Sequence, residues 1–510
     1  MKGEHFNHEM LRIVMKKTLA LILLASLILS AASCGSGETP SGDTETSAPS
    51  SGDTSGEETV DENSRDAVKS SIPADLKFTG ETVTVLTRDK EEFINEFQAD
   101  EENGDTMNDA IYARNAKVED QLGININVIS RNGEYGQHTQ FNSDVVKEVM
   151  SGDTEYDVIS YYAYAMPMIA RQNVLYNLKD LENLDLTKPW WNRMANDSIR
   201  VGDATYYLFG DIHLMLWECY MPVVANLTLA ESLGIDDLYD TVESGKWTLD
   251  TMYSCMRTAA LDLNGDTKTD AEDRFGLSMY PWNAMSFFTG CGVSLIEKES
   301  DGIPVYTGVT ERFSAVYEKL ALGFLSDKDL RFDHNTKGFN KLEGDGVTTK
   351  FLNGGALFFA EPIGSVKRLR NADFALGILP LPKYNEEQEN YISYILNSPA
   401  ALVVPSTNVD TEMTGVVIEN LSAESYRTVR PVYFDKTLDF KYATDERSLN
   451  MLDTIFENGN FDLTVVFGWG KVSSKVIDLV TTGSEAYVSG ITAVDKAVRE
   501  DIEKTVEKYS

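Results

Sequence analysis

Residues 262–273, DLNGDTKTDAED, put oxygen donors at positions one, three, five, nine and twelve of a twelve-residue loop: Asp262, Asn264, Asp266, Asp270 and Asp273. The backbone carbonyl of Lys268 falls at position seven. A hard cation of the size of Ca²⁺ takes about six to eight oxygens, and this spacing lets one loop wrap it. A structural Ca²⁺ is therefore the expected cofactor, pinning a loop behind the helix that begins at Thr248. The other reading of the same residues is a polar surface turn that binds nothing.

Aromatic residues at strand ends offer a different chemistry. Sugars present apolar C–H faces ringed by hydroxyls, so a site for them stacks an aromatic ring and adds a few carboxylates or amides. The candidates are Tyr161 and Tyr162 after the strand-like YDVIS, Trp282 after residues 277–280, and Trp469 in FGWG. Polar partners are Arg88 after the first strand, Asp211 after Phe209 and Gly210, and Glu361 after ALFFA. Each aromatic has core packing as its alternative. Trp247 reads as scaffold beside a helix start, and Trp190 and Trp191 fit either a cleft or a seal at a hinge.

Catalytic patterns are absent: no G-x-S-x-G elbow, no H-E-x-x-H, no G-x-x-x-x-G-K-[ST]. His138, His213 and His334 have no ligand spacing to one another. A carboxylate-pair glycosidase is open by motif alone, because 81 acidic residues offer many pairs.

Elements must hold these groups. The 510 residues carry a net charge of −36, with 42% hydrophobic residues, a globular composition spanning roughly two to three domains. The acidic balance excludes nucleic acid and a basic docking patch for anionic lipid. Lys16 and Lys17 precede an apolar run over 18–29, followed by Ser30, Ala31, Ala32, Ser33 and Cys34, the pattern of an export leader. Met15 reads better than Met1 as its start. A cysteine directly after small residues resembles a bacterial lipobox, although Ala31 stands where leucine is usual. The resemblance implies cleavage after residue 33 and a diacylglyceryl group on Cys34. Residues 34–75 then read as a disordered acidic tether rich in Ser, Gly and Thr. Three cysteines remain, Cys219, Cys255 and Cys291, with a Cys219–Cys291 bridge possible.

From residue 76 strands alternate with helices. Strands are expected at 81–87, 124–129, 156–160, 373–382 and 398–405, a helix over 105–121 stopped by Gly123, and a helical tail over 472–509. In that tail Ile491, Val494, Val498, Ile502 and Val506 follow helical spacing. Such alternation builds mostly parallel sheets flanked by helices.

Five motifs carry a resemblance: LGINI (122–126), MSGDTEYDVI (150–159), GKWTLD (245–250), FLNGGALF (351–358) and LGILPLPKY (376–384). In this order they resemble the extracellular solute-binding lipoproteins of ABC importers, family 1, which leans towards carbohydrates. The resemblance implies an α/β fold of two lobes, periplasmic-binding-protein-like and of type II, with the ligand in the cleft at a hinge. By analogy lobe one is 76–187 with 374–425, lobe two is 188–373, and residues 426–510 form a helical region packing on both. The calcium loop is likewise similar to dockerin-type loops, with Thr267 in place of the glycine at six and Asp273 in place of Glu at twelve. The implied function is capture of a sugar or oligosaccharide by hinge closure, with no catalysis. The expected partners are that small-molecule ligand and the permease transmembrane subunits of an ABC importer. The protein is expected as a monomer, held to the outer face of the cytoplasmic membrane by its lipid alone. A binding protein for a peptide or polyol, a ligand sensor, and a surface glycoside-active enzyme are the alternatives.

Overall fold

The structure, a computed structural model, describes residues 65–434 and 446–509. The leader, Cys34 and the tether as far as residue 64 lie outside the described residues. Residues 65–75 belong to the tether by sequence, yet they pack on the body. Ile72 is buried, and the carbonyls of Val68 and Lys69 accept from Arg427 Nη2 (2.6 Å) and Lys188 Nζ (3.0 Å). Ile72 supplies the apolar anchor that the preceding polar stretch lacks.

The first sheet joins β1 (Thr82–Arg88), β2 (Asn125–Arg131), β3 (Val158–Tyr162) and β12 (Ala400–Val403) in the order β12-β3-β1-β2. β1 is parallel to both β2 and β3, and β12 runs antiparallel to β3. The crossover from β1 to β2 contains the helix Thr106–Leu122. Its N-terminus is held by Asp105, whose Oδ1 accepts from the N–H of Met107 (3.0 Å) and Asn108 (3.1 Å). Its end is set by Gly123 at φ 69°, where an added Cβ would lie 2.6 Å from the Phe78 carbonyl oxygen. No other residue fits that cap without moving the backbone.

The second sheet joins β4 (Val223–Asn226), β5 (Phe275–Ser278), β8 (Arg331–Phe332), β9 (Ala356–Phe359) and β10 (Leu376–Leu379) in the order β10-β4-β9-β5-β8. Every residue of these short strands is buried, so burial does not alternate along them. Two small pairs complete the strands: β6 (Ile296–Lys298) antiparallel to β7 (Pro304–Tyr306), and β11 (Ser393–Ile395) parallel to β13 (Gly459–Phe461).

Residues 374–425, grouped with lobe one by sequence, divide between the sheets. β10 pairs with β4, Ile378 opposite Val224, whereas β12 pairs with β3, Leu402 opposite Ser160. Gly377 explains the first pairing: Leu227 lies where its Cβ would be, 2.8 Å away, so the helix Leu227–Ser232 closes directly over the strand. The chain therefore passes to the second sheet after β3 and returns after β10.

The helix Thr411–Glu424 is buried from Met413 to Glu424. Glu419 accepts from both neighbouring indoles, Trp190 Nε1 (3.2 Å) and Trp191 Nε1 (2.9 Å). Both tryptophans are thus sealed inside and do not line a cleft. In the tail, the helices Val472–Thr482, Tyr487–Thr492 and Asp495–Tyr509 bury Ile491, Val498 and Ile502. Cys219, Cys255 and Cys291 are all free and buried, so no Cys219–Cys291 bridge forms. Burial pushes the Cys219 thiol up to about 12 and the Cys255 thiol up to about 11. Among the described residues no helix is long and apolar enough to cross a membrane.

Candidate functional site

β1 delivers Arg88 to the C-terminal edge of the first sheet. Its guanidinium lies over the rings of Phe93 (4.3 Å to the centroid) and Tyr162 (4.4 Å), and Nη2 reaches Glu134 Oε1 at 3.1 Å. Only 2% of Arg88 is exposed, so it braces the edge and does not reach into solvent. Tyr161 and Tyr162 end the strand with their rings tilted against each other, centroids 5.2 Å apart. Tyr161 is stacked on Phe141 (3.8 Å) and donates its hydroxyl to the Gly133 carbonyl (2.8 Å), which makes it core and not cleft. Tyr162, buried too, instead starts an aromatic chain. Its ring lies 5.1 Å from Tyr164, which lies 5.2 Å from both Tyr135 and His138. Tyr135 carries this chain to the surface, 68% exposed.

The second sheet has a matching edge. β5 is followed by Tyr280 and Trp282, whose rings stack 4.2 Å apart at 9°. Trp282 is exposed, and His334, just past β8, lies 5.7 Å from it. Tyr280 is fixed from two sides: its hydroxyl donates to Asp345 Oδ1 (2.6 Å), and its N–H donates to Glu361 Oε1 (2.9 Å). Arg368 Nη1 donates to the other Asp345 oxygen at 2.7 Å. Burial, opposed by the Tyr280 N–H, pushes the Glu361 carboxyl up to about 8. Glu361 therefore anchors the aromatic platform from beneath.

Between the two sheets lies a cleft of about 700 Å³. The first sheet's side contributes Glu91, Glu92 and Glu96, just after β1, and the other side Met215, Glu218 and Lys367. Aromatic platforms beyond the strand ends and a carboxylate-lined cleft suit a ligand with apolar faces and many hydroxyls.

Two expected residues lie elsewhere. Asp211 is buried in an ion pair with Arg430 Nη1 (3.2 Å); burial, partly offset by that arginine, raises its carboxyl to about 6. Trp469 is fully buried, stacked on Phe467 (4.4 Å), with Nε1 donating to Thr505 Oγ1 (2.9 Å). FGWG marks the joint between tail helices and not a strand end, which is why Trp469 packs inward. Tyr135, Tyr164, Tyr280, His334, Glu96 and Glu218 were not singled out by sequence. Tyr164 and Tyr280 sit two residues beyond strands and were open to the same argument as Trp282. Glu96 and Glu218 carried no local signal, since only tertiary contact brings them together.

The loop at 262–273 is a chain of turns closed by its own side chains. Asp262 Oδ1 and Oδ2 accept from the N–H of Gly265 (2.7 Å) and Thr267 (2.9 Å), and Asp266 Oδ1 accepts from Lys268 N–H (2.8 Å). Asp273 Oδ2 accepts from Asp270 N–H (2.9 Å), and Asn264 Oδ1 from Asp266 N–H (2.9 Å). Thr267 adopts φ 61°, the conformation that a glycine at this position would take. Asp270 also pairs with Lys337 Nζ at 3.1 Å. Among the described residues no three Asp, Glu, His or Cys side chains converge as a metal site.

No protein-family model and no curated protein sequence matches the chain. Solved structures do match. A cyclo/maltodextrin-binding protein complexed with maltotetraose aligns with TM-score 0.54 at 10% identity, over 84% of this chain and 98% of its own. An ABC substrate-binding protein from Listeria monocytogenes in complex with cycloalternan aligns with TM-score 0.50 at 13% identity, over 82% and 98%. The GacH receptor of Streptomyces glaucescens, solved unliganded and with acarbose, aligns with TM-score 0.50 at 12% identity, over 84% and 99%. The chain has the two-lobe, periplasmic-binding-protein-like α/β fold of these sugar-binding proteins.

Proposed function

We propose that this protein is the ligand-capture subunit of an ABC importer and that its ligand is a sugar or oligosaccharide. The observation that carries this reading is the pair of aromatic edges, Trp282 on Tyr280 and Tyr135 beside Tyr164, just past strands of the two sheets, together with a carboxylate-lined cleft. The shared fold supports it, because the proteins just described were solved with oligosaccharides.

In this reading the ligand's C–H faces lie on Trp282 and Tyr135, and its hydroxyls donate to the cleft carboxylates. Two chain crossings between the sheets form the hinge. A ligand touching both sides favours the closed population by its differential affinity, and the permease subunits recognise that form. The protein holds its ligand without transforming it. Cys34 carries the lipid that keeps the protein at the outer membrane face, and the protein works as a monomer. Ca²⁺ at the loop has a structural role, its oxygens supplied by Asp262, Asn264, Asp266, Lys268, Asp270 and Asp273. Binding would gather carboxylates that now face the loop's own N–H groups; the all-oxygen donor order and the left-handed turn at Thr267 support it.

Calorimetry against a panel of oligosaccharides, polyols and peptides tests the main reading. Saturable binding of an oligosaccharide that is recovered chemically intact is expected. Binding confined to peptides or polyols, or turnover of the sugar, overturns it.

A further inference from the structure

The cleft is lopsided in charge. Its lining holds Glu91, Glu92, Glu96, Asp105 and Glu218 against Lys367 as the one base among the described residues. Glu92 pairs with Lys90 (2.8 Å), Glu218 pairs with Lys367 (3.5 Å), and Asp105 caps a helix. Glu91 is exposed and makes no ion pair among the described residues. Glu96 is 2% exposed on the cleft wall; Oε1 accepts from the Met215 N–H (2.9 Å), and Oε2 has no partner. A buried carboxyl oxygen without a donor is costly and rare unless something else supplies the donor.

A neutral polyol could donate a hydroxyl to Glu96, but lobe closure around it would strip water from the unpaired carboxylate of Glu91 without adding a positive charge. Desolvating unpaired charge is strongly unfavourable, and a ligand cation offsets it. We propose that the cleft selects sugars bearing a protonated amine, with the ammonium among Glu91, Glu96 and Glu218. This rests on the carbohydrate reading above and narrows it to amino sugars.

The surroundings of Glu96 add a second signature. Arg114 donates Nη2 to the backbone carbonyl of Glu96 (2.8 Å) and attracts its carboxylate, Glu218 and Glu92 repel it, and burial keeps His213 neutral beside Arg114. Cys219, next to Glu218, keeps its proton. With burial dominant, the carboxyl is raised to about 8 and is mostly protonated at pH 7. An ammonium beside it favours the carboxylate, so binding expels a proton.

Calorimetry with cellotetraose, the glucosamine tetramer of the same linkage and its N-acetylated form isolates the amine, with maltotetraose as an α-linked control. The glucosamine tetramer is expected to bind at least about tenfold tighter than either neutral counterpart. That preference shrinks with added salt, and its heat varies with the ionisation enthalpy of the buffer. Equal or tighter binding of any neutral sugar overturns the amine assignment and leaves the carbohydrate reading standing. Silence of all four overturns both. Glu96→Gln keeps an acceptor for the Met215 N–H and is expected to abolish the proton release and the tenfold preference. If that variant does not fold, Glu91→Gln on the exposed helix face reads the same preference. A preference undiminished in both variants overturns the assignment.

Discussion

Trp282 lies flat against Tyr280, ring centroids 4.2 Å apart and planes 9° from parallel, while 54% of the tryptophan stays exposed. An indole supported on one face and open on the other is a prepared stacking surface, since its partner, held by Asp345 and Glu361, fixes its orientation before any ligand arrives.

Trp282→Ala is therefore expected to weaken oligosaccharide binding about tenfold or more and to change stability by no more than about 0.5 kcal/mol. Calorimetry and thermal melting on the same sample check both.

The opposite outcome is expected at Trp469. Its full burial and its bond to Thr505 make Trp469→Ala a core deletion costing about 3–5 kcal/mol. Denaturant unfolding measures the loss, and the fraction that stays folded should bind ligand with unchanged affinity.

Glu419 links stability to pH. Burial, opposed by the two indole donors, raises its carboxyl to about 7 from an ordinary 4.5. Between these values the native state holds the proton more tightly than the unfolded chain, so stability is greatest below about pH 4.5 and falls as pH rises towards 7. Glu361 and Glu96, raised to about 8, act in the same direction. Glu419→Gln should flatten part of the decline in melting temperature between pH 5 and 7.

Ca²⁺ added to chelator-stripped protein is expected to raise the melting temperature, and Asp266→Ala to remove the rise. The absence of both heat and a thermal shift on addition would falsify the calcium reading.

Local elements were legible because their signals are local. Asp105 and Gly123 bracket a helix whose cap and left-handed stop depend on residues within a few positions. Strand ends picked out Trp282, Arg88 and Glu361 as ligand-binding candidates, and of these only Trp282 is exposed. Tyr161 and Tyr162 were equal candidates by their place after a strand, and only tertiary contacts show Tyr161 stacked on Phe141 and Tyr162 under Arg88. Trp469 was misread because a lone aromatic between glycines looks the same at a cleft and at a joint between buried helices.

What the sequence determined by itself is the α/β class, the donor order of the 262–273 loop, and the motifs that point to a two-lobe binding fold. All rest on neighbours along the chain. The tertiary structure alone decided that β10 joins the second sheet while β12 returns to the first. It also placed Glu96, from just after β1, in the same cleft as Glu218 and Lys367. The physical reason is that a cleft is made by pairings between distant segments. The burial that raises Glu96 and leaves Oε2 without a donor exists only once those segments have met.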